Sequence, residues 1–196
     1  MDSSIFGVGK EDIPSFFIKM KRILFLSFLL CWCLSMTAQR NNKFYKQSVH
    51  AEGALYFVNP QTMPEIKGNK TYCSKPLSYD YTYLDSRDSV TLLMTIVSKN
   101  IYKPDYLQVT GPIEKQYPLE LIYCEMAKKG WKSRLKCQIP YDDWKKLYHA
   151  AVPFVLEFHA VDGEVQPRFS DKPRSWKKLC DDFIRLQELI DVNKKY

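Results

Sequence analysis

The chain reads as an α+β fold: a mainly antiparallel β-sheet, sandwich or half-barrel, with one short inserted helix and a long C-terminal helix packed on the sheet. Three observations predict it. Segments of β-prone or alternating residues, joined by short polar turns, recur between residues 54 and 169. Trp176, Leu179, Cys180, Phe183, Leu186 and Ile190 fall at i, i+3, i+4, i+7, i+10 and i+14, one apolar helical stripe. No regular strand–helix series supports a parallel nucleotide-binding sheet.

Taken in order, Ala54–Val58 is the first strand. Asn59–Pro76, broken by Pro60, Pro64, Gly68 and Pro76, reads as loop with room for one short strand. Ser78–Asp85 and Val90–Val97 then form a hairpin around the polar turn Ser86-Arg87-Asp88-Ser89. A turn centred on Arg87-Asp88 pairs Asp85 with Val90, and so sets Tyr83 against Leu92, Tyr81 against Met94 and Tyr79 against Ile96. All three aromatic–aliphatic pairs share one face. The other face, with Asp80, Thr82, Leu84, Leu93, Thr95 and Val97, is half apolar and expected to be partly covered.

Tyr106–Thr110 is a short strand closed by Gly111-Pro112. Leu119–Met126 and Trp131–Ile139 form a second hairpin around Lys128-Lys129-Gly130, its second arm placing Trp131, Leu135, Cys137 and Ile139 on one face. Phe154–Val161 is the next strand, and Asp162-Gly163 turns it into Glu164–Phe169. Between the hairpins, Trp144, Leu147, Tyr148 and Ala151 mark a short helix with Asp142 as its N-cap. Ser175 is the expected cap of the C-terminal helix, with Lys177, Lys178, Asp181, Asp182 and Arg185 off its apolar stripe.

The N-terminal region reads as an address. Lys21 and Arg22 precede a 12-residue apolar run, Ile23–Leu34, and Ala38 offers a small residue for cleavage before Gln39. The run is short for a membrane span, which takes about 20 residues. Bulky Leu30 and Trp32 before Cys31 and Cys33 argue against a lipid anchor. The organisation expected is an over-extended start at 1–19, a signal peptide at 20–38, a flexible lead-in at 39–50 and a single β-rich domain at 51–196. No transmembrane span is expected after cleavage. The Thr37-Ala38-Gln39 ending and a Lys- and Tyr-rich chain with only seven glycines resemble small exported proteins of Bacteroidetes bacteria. That resemblance is one of style, names no characterised family, and implies a periplasmic or secreted protein.

Composition excludes several classes. With 45% hydrophobic and 26% charged residues the chain is neither disordered nor collagen-like. The formal net charge of +7 would favour anionic surfaces, but the lysines lie in isolated pairs rather than in a stripe. Nucleic acid is therefore not the expected partner. Beyond the signal, Cys73, Cys124, Cys137 and Cys180 allow three full disulfide pairings, and the sequence leaves disulfide bonding open. Their dispersal, with no Cys-x-x-Cys pair, speaks against zinc.

The chain has no Gly-x-Gly-x-x-Gly, Walker loop, Gly-x-Ser-x-Gly or His-Glu-x-x-His. No cofactor or metal is expected. Three histidines exist, His50, His149 and His159. Glu157 and His159, two apart on one strand face, are neighbours open to acid–base work, although a solvated strand face explains them equally. The adjacent pairs Asp142-Asp143 and Asp181-Asp182 are expected near helix starts, where the helix dipole suffices to explain them. The row Tyr79, Tyr81 and Tyr83 is a candidate ligand-binding surface if exposed and core if its aliphatic partners hold. The leading reading is a non-enzymatic exported binding or interaction domain of the cell envelope, its partner an envelope protein, a glycan or an apolar ligand. The alternatives are a carrier of a lipid or other apolar ligand and a small envelope hydrolase using Glu157 and His159.

Overall fold

Period-two alternation in the sequence becomes two antiparallel sheets. The computed structural model describes residues 43–67, 72–160 and 167–194; the expected signal segment and the Asp162-Gly163 turn lie outside them. Within the unit Phe44–Tyr196 the element order is β1 (Tyr45–His50), β2 (Gly53–Met63), β3 (Leu77–Leu84), β4 (Ser89–Ser98), β5 (Tyr106–Thr110), β6 (Lys115–Pro118), β7 (Glu120–Ala127), β8 (Gly130–Pro140), α1 (Tyr141–Tyr148), β9 (Val155–His159), β10 (Arg168–Ser170) and α2 (Pro173–Asn193). The larger sheet has the order β1-β2-β3-β4-β8-β7 and the smaller β10-β9-β5-β6. The fold is thus α+β and sandwich-like, with a short helix between strands and a long one closing the chain.

Alternation decides which side chains meet in the core. Tyr79, Tyr81 and Tyr83 on β3, Val90, Leu92, Met94 and Ile96 on β4, and Leu135, Cys137 and Ile139 on β8 are all buried in one cluster. The stripe of α2 joins them through Trp176, Cys180, Phe183, Leu186 and Ile190, with Leu179 partly buried at its margin. Phe183 stacks on Tyr148 of α1 at 3.7 Å and meets Tyr81 edge-on at 5.5 Å. Phe154 and Trp176, 5.2 Å apart and nearly perpendicular, carry the packing toward β9. Such offset and edge-to-face contacts add to the area that each ring buries. On the opposite face of the larger sheet Asp80, Thr82, Leu84, Leu93 and Thr95 are half-buried and Val97 is buried. Arg134 spans that face, reaching Asp80 at 2.6 Å and Thr95 at 2.8 Å.

Several local details differ from the expectation. The hairpin register is offset by two: Tyr81 opposes Leu92 and Tyr79 opposes Met94. Side chains repeat every second residue, so an offset of two keeps every tyrosine on its face and the alternation cannot distinguish the registers. The turn decides instead. The Arg87 amide donates to the Leu84 carbonyl and the Tyr83 hydroxyl to the Arg87 carbonyl, closing the loop over Asp85–Asp88, one residue earlier than expected. The lead-in contains β1, paired along its length with β2. β2 runs on to Met63 because its register shifts between Val58 and Gln61. That irregularity absorbs Pro60, which cannot donate to a ladder.

β6 is a short edge strand ending in Pro118, without enough alternation to be read from sequence. Neither helix takes its expected side-chain cap: Pro140 and Lys172 occupy the N-cap positions. Pro173 starts α2, since its missing amide is no loss at a first helical position. Ser175 lies inside the first turn and donates to the Lys172 carbonyl, and Asp181-Asp182 sit two turns into α2. The β7–β8 turn needs Gly130: its φ is +128°, and a Cβ there would collide with the Ser98 carbonyl.

Candidate functional site

The three tyrosines belong to the core and present no surface to a ligand. Tyr79, Tyr81 and Tyr83 are at most 2% exposed. The Tyr148 hydroxyl donates to that of Tyr81 at 3.0 Å. Burial, ahead of every other influence, pushes the ionisation of all three well above the ordinary tyrosine value. Rings from α1 and α2 fill the space beneath the long helix that a carrier would need. This corrects the ligand-binding expectation for the row: its aliphatic partners on β4 draw it inward.

Glu157 and His159 are brought together on the outer face of the smaller sheet, and both are closed in. Glu157 opposes Gln108 on one side and Arg168 on the other. Its Oε2 is 2.7 Å from Arg168 Nε, and its Oε1 lies 3.2 Å from His159 Nε2, out of line for a hydrogen bond. The His159 ring stacks flat on Tyr106 at 4.6 Å. The side chains are only 12% and 18% exposed. The arrangement is a cross-strand brace that ties β5, β9 and β10. A carboxylate held by an arginine beside a stacked imidazole is poorly placed to exchange protons with a substrate. His50 lies at the end of β1 and His149 follows α1.

Two further carboxylates, at the starts of the two helices, are more informative. Asp143 in the first turn of α1 is 4% exposed. Lys115 Nζ reaches it at 2.7 Å, the Tyr117 hydroxyl donates at 3.1 Å, and Lys146 stands 3.8 Å away. Burial alone would raise its pKa, but the hydrogen bonds from Lys115 and Tyr117 and the two ammonium charges outweigh burial and hold it below the ordinary value. This site is complete within the chain.

Asp171 stands between β10 and α2, one residue before the N-cap. Its Oδ2 is buried with no intramolecular hydrogen-bond partner. Burial lifts its pKa from 3.8 to about 6. The helix start should favour the anion by about 0.3–1 kcal/mol, which is less than one pKa unit, so desolvation wins. Asp171 lines a groove of about 300 Å³ with Gln61, Thr62, Ser175, Lys178, Leu179 and Asp182. The first turns of α2 supply Ser175, Lys178, Leu179 and Asp182; β2, extended past Pro60, supplies Gln61 and Thr62. The buried Tyr79 hydroxyl lies beside that of Tyr148 and near enough to Asp171 for the carboxylate charge to disfavour its ionisation. A second groove, at the β1–β2 turn, is lined by His50, Ala51, Glu52, Leu55 and Leu84.

Sequence reasoning did not single out Asp171. Ser170-Asp171-Lys172-Pro173 looks like an ordinary polar turn before a helix, and nothing local signals that the turn is pressed against a sheet. Among the described residues no group of three or more His, Cys, Asp or Glu side chains could hold a metal ion. All four cysteines there are free thiols. Desolvation pushes Cys73 and Cys137 up to about 12 and Cys180 up to about 11, so these three are poor nucleophiles. Among the described residues no helix is long and apolar enough to cross a membrane. The chain matches no known family model, no characterised protein and no solved structure.

Proposed function

We propose that this chain is an exported, non-enzymatic binding domain of the cell envelope, and that the Asp171 groove is where it takes its ligand. One observation carries the reading: the groove contains a carboxyl group whose buried oxygen has no hydrogen-bond partner among the described residues. Asp143 and Glu157, by contrast, are held by lysine or arginine side chains. A buried polar atom is stabilised when a hydrogen bond reaches it, and here a ligand entering the groove would supply that bond once the Asp171 side chain turns its buried oxygen toward it. The lining of amide, hydroxyl, ammonium and carboxyl groups beside Leu179 suits a small polar ligand. It would carry an amine or hydroxyl donor on a compact carbon frame, the chemistry of an amino sugar. The filled space beneath α2 argues against the carrier alternative, and the clamped Glu157–His159 brace against the hydrolase. Export rests on the basic and apolar layout of residues 21–39.

The test is an amide chemical-shift titration of the full chain with glucosamine, and with glucose as the uncharged comparison. Glucosamine should move the signals of Gln61, Thr62, Ser175 and Lys178, and Asp171→Asn should weaken its affinity at least about tenfold, the loss of one charge-assisted hydrogen bond. Shifts scattered over the surface, or an affinity unchanged in Asp171→Asn, would remove the groove from consideration.

A further inference from the structure

The two sheets have four edges, and three are unsuited to pairing with another chain. β10 has three residues, and β6 has four and ends in Pro118. β1 carries Lys46, Gln47, Ser48 and His50 beside a single exposed aliphatic residue, Val49. β7 differs. It is eight residues long, Glu120-Leu-Ile-Tyr-Cys-Glu-Met-Ala127, and among the described residues it pairs with β8 on one side only. Ile122, Tyr123 and Met126 are 47%, 37% and 77% exposed along it. Unpaired backbone donors and acceptors flanked by apolar side chains form a template for another strand, and soluble proteins ordinarily block such edges with charge or proline.

We propose that β7 is a self-association edge, along which a second copy of this chain adds antiparallel to continue the larger sheet. The order of charges selects a second copy and its direction. Glu120, which meets Lys136 of the same chain at 2.8 Å but stays mostly exposed, begins the strand, and the exposed Lys128-Lys129 turn ends it. Antiparallel pairing of two copies sets the acidic end of each against the basic end of the other, whereas parallel pairing would set like against like. A two-fold arrangement centred on Cys124 sets Tyr123 opposite Glu125 and Ile122, at the register shift, opposite Met126, with the acidic and basic ends facing beyond them. Cys124 is the one described cysteine that is not buried. Residues opposite one another in an antiparallel pair share a sheet face with Cβ atoms roughly 4.5–5.5 Å apart, so the two Cys124 thiols would be neighbours. The register shift between Leu121 and Tyr123 shortens the regular run, and the association is accordingly weak and concentration-dependent.

Cys124 supplies the test. The full chain carrying Cys31→Ser and Cys33→Ser is treated with diamide, which takes up the two protons and two electrons lost when a thiol pair becomes a disulfide. Cys73, Cys137 and Cys180 are buried, so a covalent dimer on a non-reducing gel should require Cys124 and vanish in Cys124→Ser. In parallel, sedimentation equilibrium should show the mean mass rising toward twice the monomer between about 1 and about 300 µM, the range of weak interfaces. Ile122→Lys with Met126→Lys should hold the protein monomeric with its melting temperature unchanged, because both side chains are exposed. A chain monomeric throughout and without a Cys124 cross-link overturns the proposal. So does a dimer indifferent to the paired lysines, or a Cys124 cross-link in cells to a different protein only.

Discussion

Asp143 and Asp171 occupy comparable places and meet opposite fates. Each lies at the start of a helix that packs on the larger sheet, and each is desolvated. Around Asp143 the chain supplies Lys115, Tyr117 and Lys146, and the carboxyl is more acidic than usual. Around Asp171 it supplies no bond to the buried oxygen, and the carboxyl is less acidic, near 6. Burial alone therefore does not mark a functional acid. Burial with the partner missing, at a groove, is the ground on which we propose Asp171 as the ligand's anchor, because the fold then carries a cost that no contact among the described residues offsets. The two sites also pull pH dependence in opposite directions. Asp143 contributes stability at neutral pH that is lost as pH falls through its depressed folded pKa. Asp171 weakens the fold progressively as pH rises from about 3.8 to about 6, and by a constant amount above that.

The sharpest way to break the comparison is to open the closed site. Lys115→Met removes the ammonium 2.7 Å from Asp143 and leaves a nearly buried carboxylate with one hydroxyl donor and a distant lysine. Breaking a fully buried pair costs about 3–5 kcal/mol. Lys115 is half exposed, so a loss of about 2 kcal/mol is expected at pH 7 by urea denaturation. Adding Asp143→Asn should recover part of it, since the stranded charge is then gone. A loss below about 0.5 kcal/mol, within the range of surface ion pairs, would mean that Asp143 is not closed by its partners.

The same pair shows what was legible in the sequence. Apolar spacing gives the sheet, both helices and the inward tyrosines, because hydrophobic burial is written in local period. Asp142-Asp143 could be placed at a helix start for the same reason. That Asp143 rather than Asp142 is buried, and that Lys115 reaches it, depends on β6, a four-residue strand too short to show a pattern. Asp171 was invisible because its character comes from β2 and β3, about 90–110 residues earlier in the chain. The brace of Glu157 and His159 was half legible: two residues on one strand face can be read from spacing, but Arg168 and Tyr106 arrive from other strands. The hairpin register, two residues from its expected pairing, lies in the geometry of its turn rather than in alternation.

Asp171→Asn sharpens the comparison from the open side. The amide mimics the protonated acid and removes the penalty of the anion. The variant should be more stable than the parent by about 1 kcal/mol at pH 7.5. That is less than the full pKa shift would convert to, because the side chain is partly exposed and solvent screens it. At pH 3.5, where Asp171 is protonated in the folded state and mostly protonated unfolded, the difference should shrink to a few tenths of a kcal/mol apart from any effect of the amide itself. Denaturation at both pH values, with carboxyl titration by carbon NMR placing one aspartate near 6, checks this. Equal stability at pH 7.5, or a variant that is less stable there, would show that the native anion is already satisfied and that the groove lacks the unmet bond on which the binding proposal rests.

The smallest effect belongs to the third carboxylate. Glu157 is intermediate between the other two, having Arg168 at 2.7 Å and His159 at 3.2 Å while 18% exposed. Glu157→Gln keeps the shape of the brace and removes its charge, so only the electrostatic part is lost. For a partly exposed pair at a sheet surface that is about 0.5 kcal/mol, read as a small drop in urea midpoint with unchanged slope. High salt should shrink the difference further, since screening weakens exposed pairs more than buried ones. A loss of 2 kcal/mol or more would place Glu157 with Asp143 as a closed structural charge. A loss near zero, accompanied by the disappearance of a hydrolytic activity of the parent on envelope substrates, would instead return Glu157 and His159 to the position of working acid and base and end the non-enzymatic reading.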